Sequence, residues 1–242
     1  MRTGELTRLG QLRVIGDALA VQTIAMPRLL RGIKAPSSPR FSGARPAPPD
    51  SGLCRDALQE AEETLTPAVL AHSLRCWEFG NALAIVDGRS FDPENLYVAA
   101  LLHDIRLGAP ADDRIGCFAV LGAEHAREFV TAHGGSAESG HCVYTAIARH
   151  MDVKTPLDAG PEAALLHDAA HLDVVGLRAH ELDEAFLDDV EFRFPRSSFA
   201  TEFTTAMRIE AQLRPRSTAA ALWKSGMKLA IALNPLDRGA HQ

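Results

Sequence analysis

The dipeptide His103-Asp104 closes an otherwise uninterrupted apolar run, Leu96-Tyr-Val-Ala-Ala-Leu-Leu102, and no other feature limits the fold of this 242-residue chain so strongly. Asp92-Pro93 ahead of the run supplies an N-cap and a proline at the first helical position, so the pattern predicts a helix from Pro93 to about Ile105 with two metal-ligand side chains in its last turn. Successive helical residues point about 100° apart, which lets an imidazole and a carboxylate approach one ion from adjacent sides. Alone, the pair is weak evidence, because the helix dipole also favours a histidine at a C-terminus.

Other ligand-type side chains occupy comparable places. Thr66-Pro67 opens a helix with His72 one turn inside it. Gly160-Pro161 opens Glu-Ala-Ala-Leu-Leu-His-Asp-Ala-Ala-His-Leu-Asp-Val-Val, closed by Gly176 at a C-cap. Asp173 falls on the stripe formed by Leu166, Ala169 and Ala170 and is the one charge on that apolar face. An unpaired carboxylate there would be costly or would stay protonated, so a cation or a strong hydrogen-bond donor must face it.

The order His72, His103-Asp104, Asp173 resembles the HD superfamily of metal-dependent hydrolases over residues 55 to 195. Within that span, His-Ser-Leu-Arg-Cys-Trp-Glu-Phe-Gly (72 to 80), Ala-Ala-Leu-Leu-His-Asp-Ile (99 to 105), Gly-Ala-Glu-His-Ala-Arg-Glu-Phe (122 to 129), Ala-Ile-Ala-Arg-His (146 to 150) and Leu-Asp-Val-Val-Gly (172 to 176) are most similar to the cyanamide hydratase-like subgroup. The resemblance implies an all-α fold, an HD-domain helical bundle with the metal site between core helices. It also implies one divalent metal ion on His72, His103, Asp104 and Asp173, with positions left for water and substrate. Zinc suits a carbon electrophile and ranks first; manganese, iron or magnesium would suit a phosphate ester.

The chain departs from the subgroup at three places. After His103-Asp104 the subgroup continues Ile/Leu-Gly-Leu-Thr, whereas this chain reads Ile105-Arg106-Leu107-Gly108 and sets a guanidinium beside the site. Nucleotidase members carry an acid three positions after the Asp, which is Leu107 here, and this counts against a nucleotidase mechanism. Ala119 stands where the subgroup has Glu.

His150, Arg75 and His125 are the candidate catalytic residues. His125 shares a helical face with Phe118, Leu121 and Gly122, and His150 follows Val143, Ala146 and Ile147 at similar spacing, so both are expected to point inward. A mononuclear site is preferred, with His150 as proton shuttle or optional ligand; coordination by both histidines would make the site dinuclear. Arg75, one turn after His72, and Arg106 would contact an anion if they faced the cavity. His167 and His171, at i, i+4, lie off the face of Asp173 and read as a solvated pair or one standing behind the ligands; His133 and His141 flank the Gly134-Gly135 loop near solvent, and His180 and His241 have no partner pattern.

With 46% apolar and 6% aromatic residues the chain can bury one core, and helix packing is favoured over a sandwich. Cys54, Cys76, Cys117 and Cys142 form no Cys-x-x-Cys pair, which fits a reducing cytoplasm, and no apolar run is long enough for a transmembrane helix. Residues 1–50 carry a net charge of +5 and the remainder −11. The expected division is a basic N-terminal helix and Pro-rich linker (1–52, the helix near 11–31 interrupted or ended at Pro27), a catalytic domain (53–195) and a C-terminal helical extension (196–242) with helices over 197–213 and 218–233. On this reading, deletion of the arm leaves the catalytic core intact. The arm's basic residues are not interleaved with aromatic ones, which argues against nucleic acid, and a membrane partner is disfavoured too; a small-molecule substrate is expected, with homo-oligomerisation through the terminal helices open.

The expected function is hydration or hydrolysis of a small nitrile- or amide-type electrophile by a metal-bound water. Phosphohydrolysis of a nucleotide or other phosphate ester is the alternative, followed by dinuclear iron oxygenation or a non-catalytic helical binding module.

Overall fold

The computed structural model describes residues 1–31, 41 and 47–237, with the backbone alone for residues 28–31 and 157. His241 and most of the expected linker lie outside the described residues. The helices are α1 (Arg8–Arg31), α2 (Gly52–Thr64), α3 (Pro67–Asp87), α4 (Pro93–Leu102), α5 (Phe118–Ala132), α6 (Ala137–Arg149), α7 (Pro161–Val175), α8 (Glu184–Arg193), α9 (Phe199–Leu213), α10 (Thr218–Lys224) and α11 (Met227–Ala232). Among the described residues the only β pairing is two isolated bridges, Thr3 to Ile115 and Phe41 to Leu182.

The proline-marked starts form as the sequence predicts. Thr66 Oγ1 accepts the Val69 N–H at 3.4 Å, and the Asp92 carboxylate accepts those of Glu94 and Asn95 at 2.9 and 3.2 Å. Gly176 closes α7 at φ 75°, a left-handed cap that glycine adopts without a Cβ penalty. In α4 every residue from Asn95 to Leu102 is buried, so the helix runs through the interior between α2, α3, α6 and α7. It ends at Leu102, earlier than expected. His103 takes the C-cap position, and Ile105 and Leu107 donate to Leu102 and Asp104 carbonyls in tight turns. Gly122 lets α5 approach this end: a Cβ there would lie 3.4 Å from the His103 carbonyl oxygen.

A second group of helices covers one end of this bundle. α9 packs on α3 and α10, α11 touches α7 and α9, and α1 lies along α10. Their shared apolar cluster contains Phe118, Met151, Phe199, Phe203, Met207, Leu222, Met227, Ile231 and, from α1, Ala18. The helix expected over 218–233 breaks at Ser225-Gly226, where Gly226 adopts φ 95°.

The contacts cross both boundaries of the expected three-part division. α1 continues through Pro27, with Val14 packed on the apolar cluster while Leu19 faces outward. Thr3 exchanges backbone hydrogen bonds with Arg114 and Gly116, and the buried Glu5 carboxylate is paired with Arg2 and Arg216. Phe41 is 2% exposed and packs edge-on against Phe186 with ring centroids 4.8 Å apart. The arm differs from a free tether because small apolar residues recur along its inner face, and burying that face outweighs the separation suggested by charge. Deletion of residues 1–31 is therefore expected to lower the melting temperature and promote aggregation by exposing Leu222 and Met227. An unchanged thermal transition by circular dichroism would restore the independent-arm reading.

Candidate metal centre

Three imidazoles are held with their Nδ1 edges committed and their Nε2 atoms turned toward one another. His72 on α3 has Nδ1 2.6 Å from Asp173 Oδ2. An ionised carboxylate only accepts, so Nδ1 carries the hydrogen and Nε2 the lone pair. His103 and His150 use a common device: each is the C-cap of its helix, α4 or α6, and donates Nδ1–H to the carbonyl three residues back. Those bonds are 2.7 Å to Ala100 and 2.6 Å to Ile147. These partners assign the tautomers.

The outcome is an arrangement that protein atoms alone do not satisfy. His72 Nε2 and His103 Nε2 are 3.0 Å apart with neither free to donate. Asp104 Oδ2 lies 3.7 and 3.5 Å from those two atoms, and Asp104 Oδ1 lies 3.6 Å from His150 Nε2. Both Asp104 oxygens and His150 Nε2 are buried without a hydrogen-bond partner. His72, His103, Asp104 and His150 are all 0–2% exposed, so bulk water does not compensate them. Burial pushes the His103 imidazole below its ordinary range, and burial followed by the neighbouring His103 pushes His150 down to about 3, both in the direction of the neutral form that binds metal. Imidazole nitrogens and a carboxylate oxygen converging in this way fit a divalent transition-metal ion.

Asp173 is placed differently from the sequence expectation. Its Oδ1 accepts from Arg75 Nε at 2.8 Å and Arg196 Nη1 at 2.5 Å, and its Oδ2 accepts from Arg75 Nη2 at 2.9 Å as well as from His72. A carboxylate has about four lone-pair directions, and these four donors use them. Burial pushes its pKa up, but Arg196, Arg75 and the His72 bond together hold it well below the usual carboxylate range. Asp173 therefore stands behind His72 rather than among the open ligand atoms. The apolar stripe marks a buried carboxylate that needs a cation or a strong donor; the partners it meets are two guanidinium groups and His72 Nδ1.

Arg75 is fully buried, with Nη1 donating to the carbonyls of Phe194 and Pro195, and does not contact the open atoms. His125 is half-buried at the α2–α5 contact, its Nδ1 2.8 Å from Arg106 Nη2 and its Nε2 3.1 Å from Glu60 Oε1. Neither His125 nor Arg106 joins the cluster. His167 is engaged by Asp168 and the Asp152 carbonyl, with the His171 ring edge-on to it.

Several neighbours escaped sequence reasoning. Cys76 Sγ is 3.7 Å from both His72 nitrogens; its i+4 spacing from His72 was a readable signal. Phe199 stacks on His72 at 4.7 Å between centroids, Phe203 lies at 5.7 Å, and Phe118 meets His150 edge-on at 5.7 Å. These rings form an apolar roof, two of them from α9, and nothing in the local sequence tied that helix to His72.

The HD domain family model matches residues 69–160, the span that contains His72, His103, Asp104 and His150. Cyanamide hydratase DDI2 and cyanamide hydratase DDI3, both of Saccharomyces cerevisiae, are each 30% identical over 202 residues, covering 79% of this chain and 87% of each relative. The chain belongs to the cyanamide hydratase family of HD-domain proteins. It is a metal-dependent hydrolase or hydro-lyase with an all-α fold, and among the described residues no helix is long and apolar enough to cross a membrane. For this family member the two histidines expected from sequence to point inward are separable by metal content. His150→Ala is expected to weaken metal retention in equilibrium dialysis by about tenfold or more, whereas His125→Ala retains the wild-type stoichiometry; the reverse pattern by elemental analysis would overturn the placement.

Proposed function

We propose that this enzyme adds water across the carbon–nitrogen triple bond of a small uncharged nitrile-type substrate, using one zinc ion held by His72, His103, Asp104 and His150. Cyanamide, the compound in the names of the yeast relatives, is the first substrate to test. The observation that carries this reading is the convergence of unpartnered ligand atoms beneath an apolar roof of Phe118, Phe199 and Phe203. A bound divalent ion supplies Lewis acidity and lowers the pKa of a water. His72 and His103 hold their Nε2 lone pairs in place through Asp173 and the Ala100 carbonyl. Asp104 has one oxygen more than a single ligand position needs, and that oxygen accepts a proton from the attacking water. The roof excludes bulk water and favours a compact uncharged molecule. Oxygen bonds to the nitrile carbon, one carbon–nitrogen π bond breaks, and the proton passes to nitrogen, giving the amide after tautomerisation.

Phosphate-ester hydrolysis is less well supported, because the arginines that would take phosphoryl oxygens are spent. Arg75 and Arg196 hold Asp173, and Arg106 meets His125. A dinuclear oxygenase site lacks His125 as a contributor. The cysteines Cys54, Cys76, Cys117 and Cys142 are all free, which supports a cytoplasmic setting. A second copy is proposed on the outer face of α1, where Leu9, Leu12 and Ile24 are exposed.

Incubation with carbon-13 cyanamide is expected to yield urea by NMR, with turnover lost on chelation and recovered with zinc. Asp104→Asn should reduce kcat by about a hundredfold or more. Turnover of a phosphate monoester without any nitrile hydration would overturn the assignment. Phe203→Ala is expected to shift kcat/KM toward larger nitriles, and an unchanged substrate profile would remove Phe203 from the roof.

A further inference from the structure

We infer that Arg196 is a positioning residue of the metal centre: through Asp173 it fixes the tautomer and ring orientation of His72. The inference rests on the ligand set proposed above. Arg196 lies in the turn between α8 and α9, outside every string that resembles the family. Its Nη1 donates to Asp173 Oδ1 at 2.5 Å, and its Nε donates to Asp237 Oδ1 at 2.8 Å. The side chain is 4% exposed.

Two routes lead from Arg196 to His72. The first is the carboxylate. Arg75 alone supplies two of the four donors on Asp173, and Arg196 supplies the one that fills the remaining direction on Oδ1. With all four in place, Asp173 cannot turn away from His72 Nδ1, and the Nδ1–H tautomer, with its lone pair on Nε2, is the form that hydrogen-bonds it. The second route is apolar. The Arg196 guanidinium lies over the Phe199 ring at 5.3 Å, and that ring stacks on His72 at 20° between planes. Arg196 thus restrains the imidazole from its edge and from its face.

The surroundings fit this role better than a purely packing role. Arg196 Nη2 and Asp237 Oδ2 are both buried without a hydrogen-bond partner, so Asp237 holds the guanidinium through Nε alone and leaves Nη1 directed at Asp173. Asp237 balances the second guanidinium charge, so the pair of arginines can be held behind His72 without leaving excess positive charge next to a cation site. Asn234 Nδ2 donates to the Asp173 carbonyl at 2.8 Å, and the residues after α11 therefore secure both the backbone of Asp173 and the arginine on its side chain.

The test measures metal affinity of metal-stripped full-length protein by competition with a chromogenic zinc chelator. Arg196→Met keeps the apolar stem and removes the donors; it is expected to weaken zinc binding by about tenfold to a hundredfold. Arg196→Lys, with a single donor nitrogen and the charge retained, should fall between Met and wild type. Asp237→Asn retains the acceptor oxygen but removes the balancing charge, and should weaken zinc binding less than Arg196→Met does. Because Arg196 acts through Asp173, Arg196→Met should add little once Asp173→Asn is present. If wild-type protein takes up no zinc, the ligand assignment fails. If wild type binds and Arg196→Met binds equally tightly, or if the two substitutions weaken binding additively, the positioning role is overturned. Should Arg196→Met fail to fold by circular dichroism, the Arg196→Lys comparison, alone and with Asp173→Asn, carries the same decision.

Discussion

A single buried carboxylate, Asp173, joins the parts of this structure that matter to the metal centre. It ties α7 to α3 through His72 and Arg75, and to the α8–α9 turn through Arg196. Taking a carboxylate and two guanidinium groups out of water is costly, and their mutual attraction offsets that cost only with good geometry and a full set of donors. Asp173 has both. Breaking such a buried pair by removing one partner typically costs about 3–5 kcal/mol, so this network is sensitive to any change at the chain positions that meet there.

The network faces away from the ligand atoms, and this explains how the site can be both rigid and unsatisfied. Each imidazole spends its Nδ1 on a fixed acceptor, which leaves a directed Nε2 lone pair, and these buried atoms meet in two groups that share His103, one with His72 and Cys76 and one with Asp104 and His150. The apolar contacts of α3, α4 and α7, whose facing surfaces are almost wholly buried, hold these atoms in place, and a cation bound among them would stabilise the folded chain.

The covering layer shapes what chemistry is supported. α9 brings Phe199 and Phe203 onto His72, and α1 closes over α10 with Ala18 in the same apolar cluster. Charged side chains near the site are paired with one another rather than presented to a ligand. Such surroundings leave a phosphoryl group without a counter-charge, in keeping with the compact uncharged substrate proposed above.

The sequence by itself determined the helical class, the proline-marked starts of α3, α4 and α7, and the placement of His72 inside α3 and of His103-Asp104 at the end of α4. Those features are local: caps, proline positions and apolar runs act within a few residues. It also showed that Asp173 would be buried and would need a positive partner, because a stripe is readable from spacing. Tertiary structure decided which partner that would be. Arg75 is close in sequence to His72, but Arg196 reaches Asp173 from 23 residues further along the chain, beyond α8, and no periodicity encodes such a contact. The same reason separates His150 from His125. Both lie on apolar faces, yet His150 sits at the end of α6 where the helix meets His103, while α5 turns His125 toward Glu60 and Arg106. The arm is the third instance: charge and proline content set it apart in sequence, whereas the complementary faces of α1 and α10 bring it into the fold, a match between surfaces that exists only once both helices have formed.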